Sequence, residues 1–147
     1  MDAIKVLIQD HEEIKQYFRE FEQAGERAYK KKHSIAEKVI EELHAHTQIE
    51  ERLFYPAVME KGGKELKELV LEGIEEHRAA DFMIERLRTT PPEDETFDAK
   101  FKVLIEVVEH HLKEEEKEMF PEARKALKDE LEPLGAQMEA MHKRIEG

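Results

Sequence analysis

The chain contains no cysteine. Disulfides, thiolate metal sites and thiol nucleophiles are therefore excluded. It has few glycines and prolines, six and five among 147 residues, and little clustering of β-branched residues. Those scarcities, with 41% charged residues, point to helices. No apolar run reaches the roughly 18 residues that a membrane span needs. The N-terminal stretch MDAIKVLIQDHEE lacks a basic segment followed by a long apolar one, so no secretory signal is visible and a cytoplasmic location is expected. Basic residues are also in deficit, 24 against 36 acidic, for a net charge of -12. That balance disfavours nucleic acid and anionic membrane surfaces as partners. The length suits one domain, residues 1–147, with a single sizeable core.

What is present is helical periodicity. A first helix is predicted from about Asp2 to Ala24, with Ile4, Leu7, Ile8, Ile14, Phe18 and Phe21 at steps of three and four. Gly25 and the basic run Lys30-Lys31-Lys32 end it. A second starts at Ser34, with Glu37 completing a capping box, and runs to about Pro56 or Lys61 with Val39, Leu43 and Leu53 inward. Gly62-Gly63 breaks the pattern. A third spans about Lys64 to Arg88 with Leu66, Val70, Ile84 and Leu87 on one face. After the loop Thr90 to Asp94, a fourth begins near Thr96, with Phe101, Leu104, Val108 and Met119 inward; Pro121 should kink or end it. Leu134, Met138, Met141 and Ile145 predict a short extra helix after Pro133. The expected fold is all-α: an antiparallel up-down-up-down four-helix bundle over about 1–125, with a helical tail over about 126–147.

Four histidines continue the apolar stripes. His11 falls between Leu7 and Ile14, His46 between Leu43 and Glu50, His77 midway between Val70 and Ile84, and His111 between Val108 and Glu115. Each of the four helices thus directs one imidazole inward, and two add a carboxylate one turn further on. A helix rises about 1.5 Å per residue, so residues equally distant from a turn lie at similar heights. His11 and His46 lie almost equally far either side of Tyr29, and Glu50, His46 and His77 bracket Gly62 in the same way. His77 and His111 similarly flank Pro92. Four His and two Glu converge on one layer. Carboxylates in a dry interior need neutralising. Imidazole nitrogens with carboxylates free to bridge form a ligand set for a pair of metal ions, with open positions for water or a small molecule.

Residues 46–56, HTQIEERLFYP, align without gaps to residues 111–121, HLKEEEKEMFP. Asp10-His11-Glu12 likewise rhymes with Glu76-His77-Arg78. The chain reads as two similar helical hairpins, each carrying H…HxxxE. Over about residues 1–125 this pattern resembles the hemerythrin-like, or HHE cation-binding, family. The resemblance implies two non-haem irons, oxo- or hydroxo-bridged, with His11 and His46 on one, His77 and His111 on the other, and Glu50 and Glu115 between them. Oxygen-carrying members have a second histidine one turn from the third-helix ligand; here the corresponding positions are Gly73 and Asp81. One iron then has an open position, for which Asp81 or water is available. His110 offers an alternative register to Glu115 but lies off the stripe.

Glu41-x-x-His44 and Glu139-x-x-His142 match a different di-iron motif, but helices one and three offer no inward Glu to complete it. His33, His44, His110 and His142 read as exposed or rim residues, with His44 and His110 the alternative candidates for supporting the ligands, and Glu51 and Glu116, one residue off the stripe, as supporting or surface carboxylates. No catalytic residue is assigned. The resemblance implies a di-iron protein that binds dioxygen or a related small molecule in storage, delivery or sensing. The alternative is a di-iron enzyme with peroxidase- or catalase-like or nitric oxide chemistry, or iron handling without turnover.

Overall fold

The computed structural model describes residues 1–146. Helix α1 (Ala3–Gln23) opens on Asp2, whose carboxylate accepts the Lys5 backbone N–H at 2.9 Å. Helix α2 (Tyr29–Ile49) starts five residues before the predicted cap, so Ser34 lies exposed inside it. The reason is tertiary. Lys32 is buried, and its ammonium donates to Asp98 at 3.0 Å and to the Glu26 carbonyl at 3.1 Å. These bonds hold the first turn in place of a side-chain cap.

Two departures from α-helical winding follow. After α2 the chain continues without a break through a π-helical segment (Glu50–Phe54) into α3 (Tyr55–Lys61). Helix α4 (Lys64–Arg88) and then α5 (Phe97–Glu114) follow, and α5 passes through a second π segment (Glu115–Met119) into α6 (Phe120–Leu127). In each segment an N–H bonds five residues back, Tyr55 to the Glu50 carbonyl and Phe120 to that of Glu115. Pro56 and Pro121 come next in sequence. A proline in a regular α-helix lacks its N–H and clashes with the carbonyl four residues earlier; a widened turn relieves both problems. Pro121 therefore does not end its helix, which continues into α6 to Leu127. The extra residue also rotates the inward face by one position. Phe54 and Tyr55 are buried where Leu53 was expected, and Leu53 is only half-buried.

These helices form the antiparallel bundle, α1 beside α2 and α5, and α4 beside α5 and α3. The remaining predicted inward residues are buried, except Ile8 on the outer side of α1 and Met141 and Ile145 near the end of the chain. The core falls into two apolar clusters. One holds Ile4, Leu7, Ile49, Phe54, Val70, Met119 and Phe120. The other holds Ile14, Phe18, Val39, Leu43, Ile84, Phe101, Leu104 and Val108. No described helix is long and apolar enough to cross a membrane.

The predicted tail is a full helix, α7 (Leu131–Glu146), packed on α1, α2 and the first π segment. Lys128, at φ 46°, turns the chain into it. Contact is closest at Gly135, where a Cβ would collide with the Met1 carbonyl oxygen and lie 2.7 Å from the Asp2 carbonyl carbon. Backbone cannot yield as a flexible side chain can. Gly135→Ala should therefore lift α7 off the start of α1 and cost about 1–3 kcal/mol, as overpacking does. Urea unfolding followed by circular dichroism checks this; an unchanged midpoint would show that the helix docks elsewhere.

Candidate metal centre

One polar layer separates the two apolar clusters. It contains His11, His46, Glu50, His77, His111 and Glu115, all buried, with Glu50 at 0% exposure. The six residues singled out from the sequence thus meet. Helix α1 presents His11, α2 and its π segment His46 and Glu50, α4 His77, and α5 and its π segment His111 and Glu115.

The imidazole Nε2 atoms point at the two carboxylates. His11 Nε2 lies 3.2 Å from Glu115 Oε1, and His46 Nε2 lies 3.5 Å from Glu50 Oε1. His77 Nε2 stands 2.9 Å from Glu50 Oε1, and His111 Nε2 stands 3.4 Å from Glu115 Oε2 and 3.6 Å from Glu50 Oε1. The donor atoms form two groups that share Glu50: His11, His46, Glu50 and Glu115 in one, and Glu50, His77 and His111 in the other.

Every one of these rings is held from behind by a carboxylate that accepts from Nδ1. His11 donates to Glu116 at 2.6 Å, His46 to Asp10 at 3.1 Å, His77 to Glu51 at 2.7 Å and His111 to Glu76 at 2.6 Å. A proton on Nδ1 leaves the Nε2 lone pair free, the tautomer and orientation a metal ligand requires. Glu51 and Glu116, for which the sequence pattern allows a supporting or a surface place, face the rings. Asp10 and Glu76 went unassigned, although both immediately precede a histidine of the stripe.

Electrostatics test whether these residues fit a metal pair. His11 Nε2, His46 Nε2, Glu50 Oε2 and Glu115 Oε1 are buried and have no hydrogen-bond partner. Such orphans are costly in a protein interior. His77 Nε2 and His111 Nε2 face each other at 3.1 Å, an unfavourable approach for two lone pairs. The two inner and four outer carboxylates carry six negative charges when ionised. Arg78 on Glu51 and Lys15 near Glu116 offset two, and two divalent cations would offset the rest. The donor set fits. Without metal, protons take that place. Burial disfavours the charged form of His11, but Glu115 and Glu116 outweigh it and push its pKa up to about 9. Burial likewise opposes charging of His111 and His77, and Glu115 and Glu50 respectively raise them.

The position expected to stand open at Gly73 is filled. The Tyr55 hydroxyl lies there, 2.8 Å from where a Gly73 Cβ would sit, so glycine makes room for the phenol. Tyr55 donates to Glu115 Oε2 at 2.6 Å, and its oxygen lies 3.2 Å from Glu50 Oε1. Burial and these two carboxylates raise its pKa well above the usual phenol value. Sequence reading missed Tyr55 because steps of three and four do not place it over Glu50; the five-residue step of the π segment does. The signal was its pairing with Phe120 across the repeat. Asp81 does not enter the centre: it is exposed and pairs with Arg78 at 3.3 Å. His110 is also exposed; its Nε2 lies 3.4 Å from Glu114 and 3.7 Å from Glu76, the carboxylate behind His111.

Comparison with known proteins points the same way. The family model for the Hemerythrin HHE cation binding domain matches residues 2–123. Proteins named only as uncharacterised, from Mycobacterium bovis and from Mycobacterium tuberculosis strain H37Rv, are 28% identical over 149 aligned residues, covering 100% of this chain and 89% of each relative. A crystal structure of a Hemerythrin HHE cation binding domain-containing protein, the Rv2633c homolog from Mycobacterium kansasii, superposes with a TM-score of 0.85 at 27% identity. The match covers 99% of this chain and 87% of that one.

Two outcomes follow from this geometry. A histidine must be neutral at Nε2 to hold a metal, and His11 stays charged up to about pH 9 in the metal-free protein. Divalent metal uptake at pH 7 should therefore release protons, and affinity should rise from pH 7 towards 9. Calorimetry in buffers of different ionisation enthalpy measures this, and uptake without proton release would contradict it. Tyr55→Phe keeps the ring against His77 but withdraws a donor from buried Glu115. The metal-free protein should lose about 1–3 kcal/mol in urea unfolding. No loss would mean that the hydroxyl leaves the carboxylates undisturbed.

Proposed function

The chain belongs to the hemerythrin HHE cation-binding family, and on that premise we propose that it is a non-haem di-iron protein that binds dioxygen or a related small molecule. The observation that carries this reading is the set of unpartnered buried nitrogen and carboxylate atoms, with each imidazole fixed from behind through Nδ1. His11 and His46 would hold one iron, His77 and His111 the other, and Glu50 and Glu115 would lie between them. Imidazole and carboxylate together suit iron. When bound, the pair supplies exchangeable positions and electrons for a small oxidant.

The chain's own contribution is access and shielding. A cavity of about 380 Å³ lies between α2, α4 and α5, with His46, His77 and His111 in its wall. Ile40, Leu43, Ile84, Val108 and Leu112 make much of the remaining wall apolar. Such a lining favours a small neutral molecule over bulk water. The net charge of -12 supports a role without nucleic acid, and a cytoplasmic location belongs to the same proposal.

One observation favours a second reading, an oxidoreductase acting on peroxide or nitric oxide. Tyr55 places a phenol between the inner carboxylates, donating to Glu115 with its oxygen near Glu50, in place of another nitrogen ligand. A phenol there holds a proton within reach of a molecule bound beside His77, which is a general acid's position.

Metal analysis and the visible spectrum, in air and after reduction, test the first reading. About two irons per chain are expected, with an absorption that reduction removes. Glu50→Ala should lose most of that iron. One zinc or no metal in the purified protein would sink the proposal. Stoichiometric, reversible oxygen uptake then selects the binding protein, and catalytic loss of peroxide selects the enzyme.

A further inference from the structure

Helix α7 brings a histidine to the bundle that the di-iron reading does not use. His142, expected at the rim, is largely covered by α1 and α2. Its Nε2 lies 3.3 Å from Glu42 Oε1 and 3.5 Å from Asp10 Oδ1, and its Nδ1 lies 3.3 Å from Glu146 Oε1. One imidazole therefore faces three carboxylates, with at most two protons to give. Asp10 and Glu42 are buried, and no lysine or arginine among the described residues pairs with either.

Asp10 is the telling residue. Its side chain is 8% exposed, and Oδ2 is committed to His46 Nδ1 at 3.1 Å. Oδ1 faces the His142 cluster, 3.5 Å from its Nε2, longer than an ordinary N–H···O hydrogen bond. The 3.3–3.5 Å spacings around His142, one of them a long hydrogen bond to Glu42, also match those of ligands on a shared ion. Atoms bound to one cation at about 2.1 Å stand about 3.0–3.4 Å apart. By contrast, the Nδ1–carboxylate pairs of the centre close to 2.6–3.1 Å. One ligand atom each from Asp10, Glu42 and His142 lies within 4.8 Å of the others.

We propose that Asp10, Glu42 and His142, with Glu146 at the rim, form a third cation site, separate from the di-iron centre, for one borderline divalent ion of the zinc type. A nitrogen with two or three carboxylate oxygens is a donor set that zinc accepts. Asp10 would touch this ion through one oxygen and His46 through the other, tying the docking of α7 to a histidine of the centre.

Elemental counting on the full chain tests this. Iron-loaded protein is dialysed against Zn²⁺ and then against metal-free buffer. About one zinc per chain should remain beyond the irons; zinc that merely replaced iron would appear with a matching iron loss. His142→Ala and Glu42→Gln should each lose that zinc, with iron content and circular dichroism unchanged. Glu50→Ala should lose iron yet keep the zinc, which separates failure of this site from failure of the centre. Wild-type protein that retains no extra zinc overturns the proposal, and so does zinc retained equally by His142→Ala.

Discussion

Two carboxylates at the middle of a helical bundle are the constraint from which most of this structure follows. Glu50 and Glu115 sit where apolar side chains would pack, at 0% and 2% exposure. A carboxylate there is tolerable only when positive charge or donated hydrogen bonds surround it. Four imidazoles and one phenol do so, and each imidazole is in turn anchored by an outer carboxylate. The anchoring runs in one sense around the bundle. Asp10 of α1 holds His46 of α2, Glu51 of the first π segment holds His77 of α4, Glu76 of α4 holds His111 of α5, and Glu116 of the second π segment holds His11 of α1. Every helix of the bundle therefore both supplies an inward ring and fixes one from a neighbour. A displacement of any helix would disturb a ring that it does not carry.

The π segments show how local winding serves that layer. Each begins at an inner carboxylate and ends just before an aromatic–proline pair. Proline disfavours an ordinary turn there, and the wider turn sets the residue five positions on over the carboxylate. In the first repeat this places Tyr55 over Glu50. A backbone irregularity coded by one proline thus decides which side chain reaches the centre.

Much of this layer was legible in the sequence because it depends on a period. The inward histidines, the two glutamates and the repeat all follow from counting along regular helices, and the bundle follows from four stripes with short connections. What was not legible depends on contacts between helices. Ser34 has the chemistry of a cap, but Lys32 starts α2 earlier by reaching Asp98. Leu53 holds the α-helical register, but the π segment passes the core to Phe54 and Tyr55. Asp10 and Glu76 look like solvated acids until the facing helix brings a ring to each. The docking of α7 rests on a close approach at Gly135 that no periodicity announces.

The two halves are alike in scaffold and differ in chemistry, which makes the two sides of the centre unequal. Phe120 stacks on His11 with ring centres 5.6 Å apart and planes at 20°; Tyr55 stacks on His77 at the same separation and 17°. The packing is conserved across the repeat, so the one added hydroxyl is not required to fill space. It appears only beside His77, opposite Gly73, and there it draws on both inner carboxylates. The outer carboxylates differ as well. Glu76 is long enough to reach His111 from α4, whereas Asp10 is one methylene shorter and leaves its second oxygen facing His142. One half thus carries a proton donor at the centre, and the other carries a carboxylate shared with α7. A symmetric hairpin pair supplies the frame, and single-residue departures from that symmetry give each side its own chemistry.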